Sequence, residues 1–350
     1  MRRIGLKGLL SVGCLLCPLA AKAEELRIGA ILPLSGEAAA LGEACRNGIE
    51  MALADRAVEA AQVLYEDDRN SPAASVTAFQ KLKRQGVDAL ISWSSGPGKA
   101  LAPLAEQSQL PLVSIATDPE IVRERRFVVN LWVTPREEAR VLLEELVRRG
   151  HTTIARVSAE QSGMLAMHRA FDELNDGKVT VAFDQSFPSD VKDFRSYLAR
   201  IAAAPHVQAI FVNLYVGQTG VFARQAREMG IAVPLVNIET FEDRNEVQLS
   251  GGALIDQWYI QADDATGEFE RRYRERFPQA ALLSAGSCHD AALLLMNGRN
   301  AQGGIASHLH GVQDFSGAMG TFSAMADNTF SLPAVVKRVT PSGFEKVSSG

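Results

Sequence analysis

The stretch "ALISWSSGPGKALAPLAEQSQLPLVSIATDP", residues 89–119, decides how the chain folds. It runs apolar strand, small polar knot, helix, second apolar strand, and ends on Ala116-Thr117-Asp118-Pro119. Short, nearly continuous apolar runs separated by a helix mark a βαβ unit, whose parallel sheet is covered on both faces. In open sheets of this kind ligands collect beyond the carboxyl ends of the strands. Both strand ends here carry hydroxyls. Ser94 and Ser95 open a helix, where free backbone N–H groups and the positive dipole end suit a carboxylate or phosphate. Thr117 closes the next strand beside them. Taken singly, either serine reads as a helix cap and Thr117 as a turn residue, but adjacent strand ends bearing hydroxyls point together to an anion site.

The same rhythm extends outward. "LRIGAILPL" precedes a helix expected over residues 42–56, and "AQVLYEDD" precedes one over 71–85. The segment "RRFVVNLWVTP" interrupts the alternation, which restarts at "EEARVLLEELVRRG" and continues to "PLVNIE". Then come "GALIDQWYI", a helix in "TGEFERRYRERF", a helix over 288–297, and a closing β-hairpin around Ser342-Gly343. The expectation is an α/β fold of two doubly wound lobes of similar size, joined by several short crossovers. In the second lobe Glu239 follows the strand "PLVNI" and Tyr215 ends "AIFVNLY". A carboxylate at that place would hold an ammonium group, and the tyrosine would supply an aromatic wall with a hydroxyl. A solvated loop acid and a half-buried strand-end tyrosine are the plainer alternatives.

At 350 residues, 47% hydrophobic and 22% charged, the chain is long enough for two cores. The net charge of −5 has no like-charged run behind it, so neither a nucleic-acid surface nor a polybasic membrane patch is indicated, and a small-molecule partner is expected. Residues 1–23 carry Arg2, Arg3 and Lys7, then an apolar run, then Ala21-Lys22-Ala23. This is the form of a cleaved export signal, with lipidation at Cys14 as a lesser alternative. A membrane anchor would need about 20 apolar residues, and the run is shorter. Of the four cysteines, Cys45 and Cys288 remain after cleavage. An oxidising compartment would let them bridge, but each lies in an amphipathic helix where a small buried thiol is common, and that reading is favoured.

Signals for an enzyme are thin. "SSGPGKAL" fails as a phosphate-binding loop because Trp93 and Ala100 occupy the places of its first glycine and its hydroxyl residue. Cys288-His289-Asp290 are consecutive on a helix, point in different directions, and cannot form a triad. His308 and His310 lack a third metal ligand and read as a surface loop, and Glu66-Asp67-Asp68 reads as a charged loop facing solvent. No cofactor or metal is implied.

The segments "LRIGAILPLSGEAAALGEACRNGIEMAL", "VLYEDDRNSPAASVTAFQKLKRQGVDALIS", "PLVSIATDP", "FRSYLARI", "FARQAREMGI" and "FSLPAVVKRV" resemble the periplasmic solute-binding proteins of the leucine/isoleucine/valine-binding type, over roughly residues 26–347. The resemblance implies two Rossmann-like lobes with three crossovers, and a monomer in the periplasm delivering its ligand to an inner-membrane ABC permease. It sets lobe 1 at 24–133 plus 262–335, and lobe 2 at 134–261 plus 336–350. It also implies that Ser94 or Ser95, with Thr117, holds the carboxylate of an amino acid. The carbonyl of Ile115, beside Ala116, is a candidate ammonium partner, Glu239 takes the ammonium, and Tyr215 covers the ligand. Two positions depart from the pattern: Leu41 and Ser162-Gly163 stand where aromatics are frequent. The side-chain pocket is therefore altered, with Trp93 and Ser162 as candidates for its wall. The resulting expectation is a non-enzymatic carrier of a small amino acid or analogue. The rival is a periplasmic sensory binding protein for an amide, urea or aromatic acid.

Overall fold

The computed structural model describes residues 25–56, 61–263 and 265–347. The export signal read over residues 1–23, Cys14 included, lies outside the described residues.

The first βα units run β1 (Leu26–Leu32), α1 (Ala39–Asp55), β2 (Ala61–Asp67), α2 (Pro72–Arg84), β3 (Ala89–Trp93), α3 (Ser95–Ser108), β4 (Leu112–Ile115) and β5 (Val128–Asn130). Their strands form one parallel sheet in the order β2-β1-β3-β4-β5. The chain then crosses to a second set: α4 (Pro135–Arg148), β6 (Thr153–Ala159), α5 (Ser162–Asn175), β7 (Thr180–Phe187), α6 (Arg195–Ala203), β8 (Ala209–Asn213), α7 (Thr219–Glu228), β9 (Leu235–Ile238), α8 (Arg244–Leu249) and β10 (Trp258–Ala262). It returns with α9 (Gly267–Arg276), α10 (Ala285–Gly298), α11 (Gly304–His310) and the small hairpin β11 (Phe315–Gly317) and β12 (Gly320–Phe322). It ends with β13 (Ala334–Thr340) and β14 (Gly343–Lys346). The second sheet has the order β14-β13-β10-β9-β8-β6-β7, parallel except for β13 and β14. The closing hairpin turns between Thr340 and Gly343, where the sequence places it.

Local chemistry explains the helix starts. Ser71 accepts the Ala74 N–H and Pro72 takes the first helical position, so α2 begins one residue after its cap. Thr134 and Pro135 do the same for α4, with Thr134 Oγ1 accepting the Glu137 N–H at 3.3 Å. The core of the first layer depends on close contact between α1 and α10. A Cβ on Gly48 would lie 2.0 Å from the Ala285 carbonyl oxygen, so only glycine lets the two helices approach.

Four readings of the sequence need correcting. Cys45 and Cys288 are joined by a disulfide that ties α1 to α10, with Cα atoms 5.1 Å apart. The same close packing that demands Gly48 brings the two thiols within reach. His289 and Asp290 do meet, at 2.9 Å through His289 Nδ1, but the bridged Cys288 is no nucleophile. His308 and His310 are in the last turn of α11, not a surface loop, and His310 Nε2 donates to the Arg126 carbonyl. Glu66 and Asp67 end β2, and Asp68 is fully buried, accepting the Ser75 hydroxyl at 2.8 Å and the Asn70 N–H. Glu66 pairs with Lys81 in the last turn of α2 at 2.6 Å, and Asp67 stays exposed while accepting the Ser35 hydroxyl and the Leu34 N–H, so Asp68 alone of the triplet is withdrawn from solvent and supports the start of α2.

The disulfide closes a loop across 243 residues, so it constrains the unfolded chain strongly. The Cys45→Ser/Cys288→Ser double variant is expected to lose about 2–4 kcal/mol of stability. Urea unfolding of the oxidised protein and the double variant measures this, and overlapping curves would show that the bridge adds nothing.

Candidate functional site

The ends of β3 and β4 in one sheet, and of β8 and β9 in the other, meet around a cavity of about 60 Å³. Trp93, Ser94 and Ser95 reach it from β3 and the start of α3, and Ile115, Ala116 and Thr117 from β4. Tyr215 and Glu239 come from the other sheet. Ser162 is not among the lining residues; Met164, two positions further into α5, takes that place. A Cβ on Gly163 would lie 2.8 Å from Ser95 Oγ and 3.1 Å from Thr117 Cβ, so the start of α5 packs hard against the two strand ends and sends Ser162 aside.

The strand ends are held from behind. Asn130 accepts the Ala116 N–H at 3.1 Å and donates to the Ala116 carbonyl at 2.7 Å, which fixes the turn that presents Thr117. Ser94 N–H donates to the Ile115 carbonyl, 2.9 Å, so that carbonyl is already engaged by the chain. Ser95 Oγ accepts the Asp118 N–H at 3.1 Å. Ser94 has no side-chain capping bond; its hydroxyl instead meets the Tyr215 phenol, as does the Asn70 amide. Tyr215 therefore spans the cleft, and burial pushes its phenol up while these bonds pull it down.

Glu239 is the centre of the site. It follows β9 with φ of +68°, a left-handed backbone rare outside glycine, and its side chain crosses to the first sheet. Its Oε1 and Oε2 accept the Thr117 hydroxyl at 2.9 and 3.1 Å, and Oε1 also accepts the Trp132 indole N–H. Burial pushes this carboxyl up from its ordinary value, and the Trp132 and Thr117 bonds recover part of the shift. Nearby Glu138, in the first turn of α4, is fully buried with neither carboxyl oxygen hydrogen-bonded. Burial first, then the charge of Glu239, hold it well above the carboxylate range. Asp243, also lining the cavity, is raised by burial as well. Among the described residues that line the cavity there is no lysine or arginine.

The loop carrying Tyr215 is pinned from below by Glu246 of α8. That buried carboxylate accepts the N–H groups of Gly217 and Gly220, and burial still pushes it up to about 7.

Sequence reasoning missed Trp132, Met164, Asp243 and Ser284. Trp132 sits in the crossover between β5 and α4, where no strand or helix pattern draws attention to it. Ser284 was invisible for a similar reason: it precedes α10 and enters the site by accepting the Trp93 indole N–H at 2.8 Å. The one available signal was Leu-Trp-Val-Thr-Pro itself, a large aromatic directly before a capped helix start.

A family model described as "Periplasmic binding protein" matches residues 25–344. A Leu/Ile/Val-binding protein homolog 6 of Brucella abortus is 27% identical over a 212-residue alignment that covers 57% of this chain and 53% of the relative. The chain thus spans about half the length of that relative. The Leu/Ile/Val-binding protein of Escherichia coli is 25% identical, over 63% of this chain and 62% of its own. Among solved structures, a leucine binding protein LivK of Thermotoga maritima superposes with a TM-score of 0.86 at 20% identity, covering 92% of this chain and 98% of that one. A solute binding protein of an ABC transporter from R. palustris, in complex with benzoate, gives 0.83 at 19% identity, covering 93% and 96%. At such identities the structural likenesses establish the fold alone.

Glu138 and Glu246 both have raised values in the folded state. Each then holds a proton that the unfolded chain releases above a carboxylate's usual value of about 4.3, so stability is full below that value and falls as pH rises toward the native values. The expected loss is up to about 1.4 kcal/mol per pH unit for each proton held. Glu138→Gln, isosteric with the protonated acid, should flatten part of this slope between about pH 5 and 8. Unfolding free energies at pH 5 and pH 8 measure it, and parallel slopes in both proteins would show that Glu138 is ionised in the native state.

Proposed function

The chain belongs to the periplasmic binding protein family, and on that premise we propose that it is the extracytoplasmic solute-binding component of an ABC importer, closing on a small amino acid or close analogue. Its family binds ligands and does not catalyse. The residues 1–23 signal would take it to the periplasm, where it would hand its ligand to a membrane permease.

The observation that carries the ligand assignment is the charge of the cavity. Its charged lining residues are both acidic, Glu239 and Asp243. At the other end stand hydroxyls and the start of α3, whose unpaired N–H groups and dipole favour a carboxylate. An amino acid puts its two charges at these two ends. Leu41, Met164, Val216 and Leu283 offer apolar surface between them, which suits an aliphatic side chain.

A second reading has its own support. Trp93, Trp132 and Tyr215 bring three aromatic rings to the cavity, and the raised Glu239 carboxyl can donate a hydrogen bond when protonated. An aromatic acid, as in the benzoate complex of the R. palustris protein, would use those rings.

A thermal-shift screen of amino acids, amides and aromatic acids separates the two, since a ligand that binds only the native state at 100 times its Kd adds about 2.7 kcal/mol of stability. For an amino-acid ligand, Glu239→Gln removes the acid partner of a buried ammonium. The expected cost is about 2–5 kcal/mol, more than tenfold in Kd by titration calorimetry. Unchanged or tighter binding by Glu239→Gln would overturn the amino-acid assignment and favour the aromatic acid.

A further inference from the structure

Glu239 faces an unusual electrostatic problem for a cation-binding acid. Acids and a phenol surround it: Glu138 from α4, Asp243 from the segment that follows it, and Tyr215 from the end of β8. The charged or hydroxyl-bearing groups of other elements packed on α4 are engaged elsewhere. Lys337 of β13 and Tyr259 of β10 both bond Glu242, while Glu173 of α5 lies 3.9 Å from Arg136. A carboxyl so placed tends to stay protonated, and a protonated carboxyl cannot hold an ammonium by charge. Two side-chain donors oppose this, the Thr117 hydroxyl and the Trp132 indole. They differ in kind. A hydroxyl can turn and accept, so it serves protonated and ionised carboxyls alike, whereas an indole N–H only donates and so favours the ionised form.

We propose that Trp132 is a positioning and specificity-determining residue, whose indole N–H holds the Glu239 carboxyl ionised and aimed across the cleft, so that the site selects ligands bearing a cation over analogues bearing only a carboxylate. The selection rests on the amino-acid reading given above; the effect on Glu239 does not. Trp132 is 4% exposed and enters the site from the β5–α4 crossover, while Glu239 comes from the second sheet, so the same bond also joins a crossover to the opposite strand end. Trp93, the other tryptophan of the cavity, spends its N–H on Ser284 and leaves Glu239 to Trp132.

The test has a ligand-free part and a binding part. Carbon-13 carboxyl NMR of the unliganded protein follows the titration of Glu239, with Glu239→Gln assigning its signal. Trp132→Phe should move the midpoint to higher pH by roughly 1–2 units, the equivalent of a hydrogen bond to a charged group. Benzothienylalanine at position 132 keeps the shape of the indole without its N–H. It should give the same shift, which guards against a Phe variant that packs poorly. An unmoved midpoint in the benzothienylalanine protein overturns the proposal whatever the binding data show.

In the binding part, L-leucine and 4-methylpentanoate, the same skeleton without the ammonium, are titrated between pH 5 and 8.5. L-leucine should lose tenfold or more in affinity at the acid end in either variant, and the loss should shrink as the pH rises past the shifted midpoint. The affinity of 4-methylpentanoate should not fall. A loss of L-leucine affinity equal at every pH would mean that Trp132 acts by packing alone, which contradicts the proposal. If the midpoint shifts as expected but the wild type binds no amino acid, the amino-acid reading fails while the effect of Trp132 on Glu239 stands.

Discussion

The site depends on one carboxyl that has been carried out of water and across a cleft. Glu239 grows from the second sheet and bonds Thr117 at the end of β4 and Trp132 in the crossover to α4. A buried charge is tolerated only when hydrogen bonds or an opposite charge replace its hydration. The protein supplies the hydrogen bonds and, among the described lining residues, no opposite charge. That incomplete compensation is what gives a cationic ligand group something to add. The buried, unpartnered Glu138 beside it offers no opposite charge either.

Backbone strain gathers at the same place. Ser94, Glu239 and Ser284 all have positive φ, at +77°, +68° and +74°, and all three line the cavity. For residues other than glycine such conformations cost on the order of 1–3 kcal/mol each and persist where surrounding structure enforces them. Here the enforcement is visible. Ser94 is locked by its N–H bond to Ile115, Glu239 by its N–H bond to the Ile260 carbonyl, and Ser284 by Trp93. The strain turns each of these positions so that a polar group faces the cleft and not the next helix turn.

The regular parts of this molecule were legible because they repeat. Apolar strands with turn residues at their carboxyl ends give the two sheets, and the strand-end rule of parallel α/β folds singles out Trp93, Ser94, Ser95, Thr117, Tyr215 and Glu239, all of which line the cavity. Ser162 marks the limit of that rule, since the close packing of Gly163 on Ser95 and Thr117 settles which residue of the α5 start faces inward. The disulfide was not legible for a related reason: the 5.1 Å between Cys45 and Cys288 Cα atoms follows from α1 lying on α10, and nothing in a separation of 243 residues encodes it. Trp132, Glu138 and Ser284 escaped because they act from a crossover, a helix's first turn and a pre-helix turn, where no period marks a side chain's direction.

The most direct test of a cleft built to receive a cation at Glu239 is the position of the ligand's nitrogen in a crystal structure of the complex with the tightest-binding compound. The nitrogen should lie within about 3 Å of a Glu239 carboxyl oxygen, with the ligand carboxylate at the Ser94–Ser95 start of α3. A ligand whose carboxylate points at Glu239, or one that carries no nitrogen there, would contradict it.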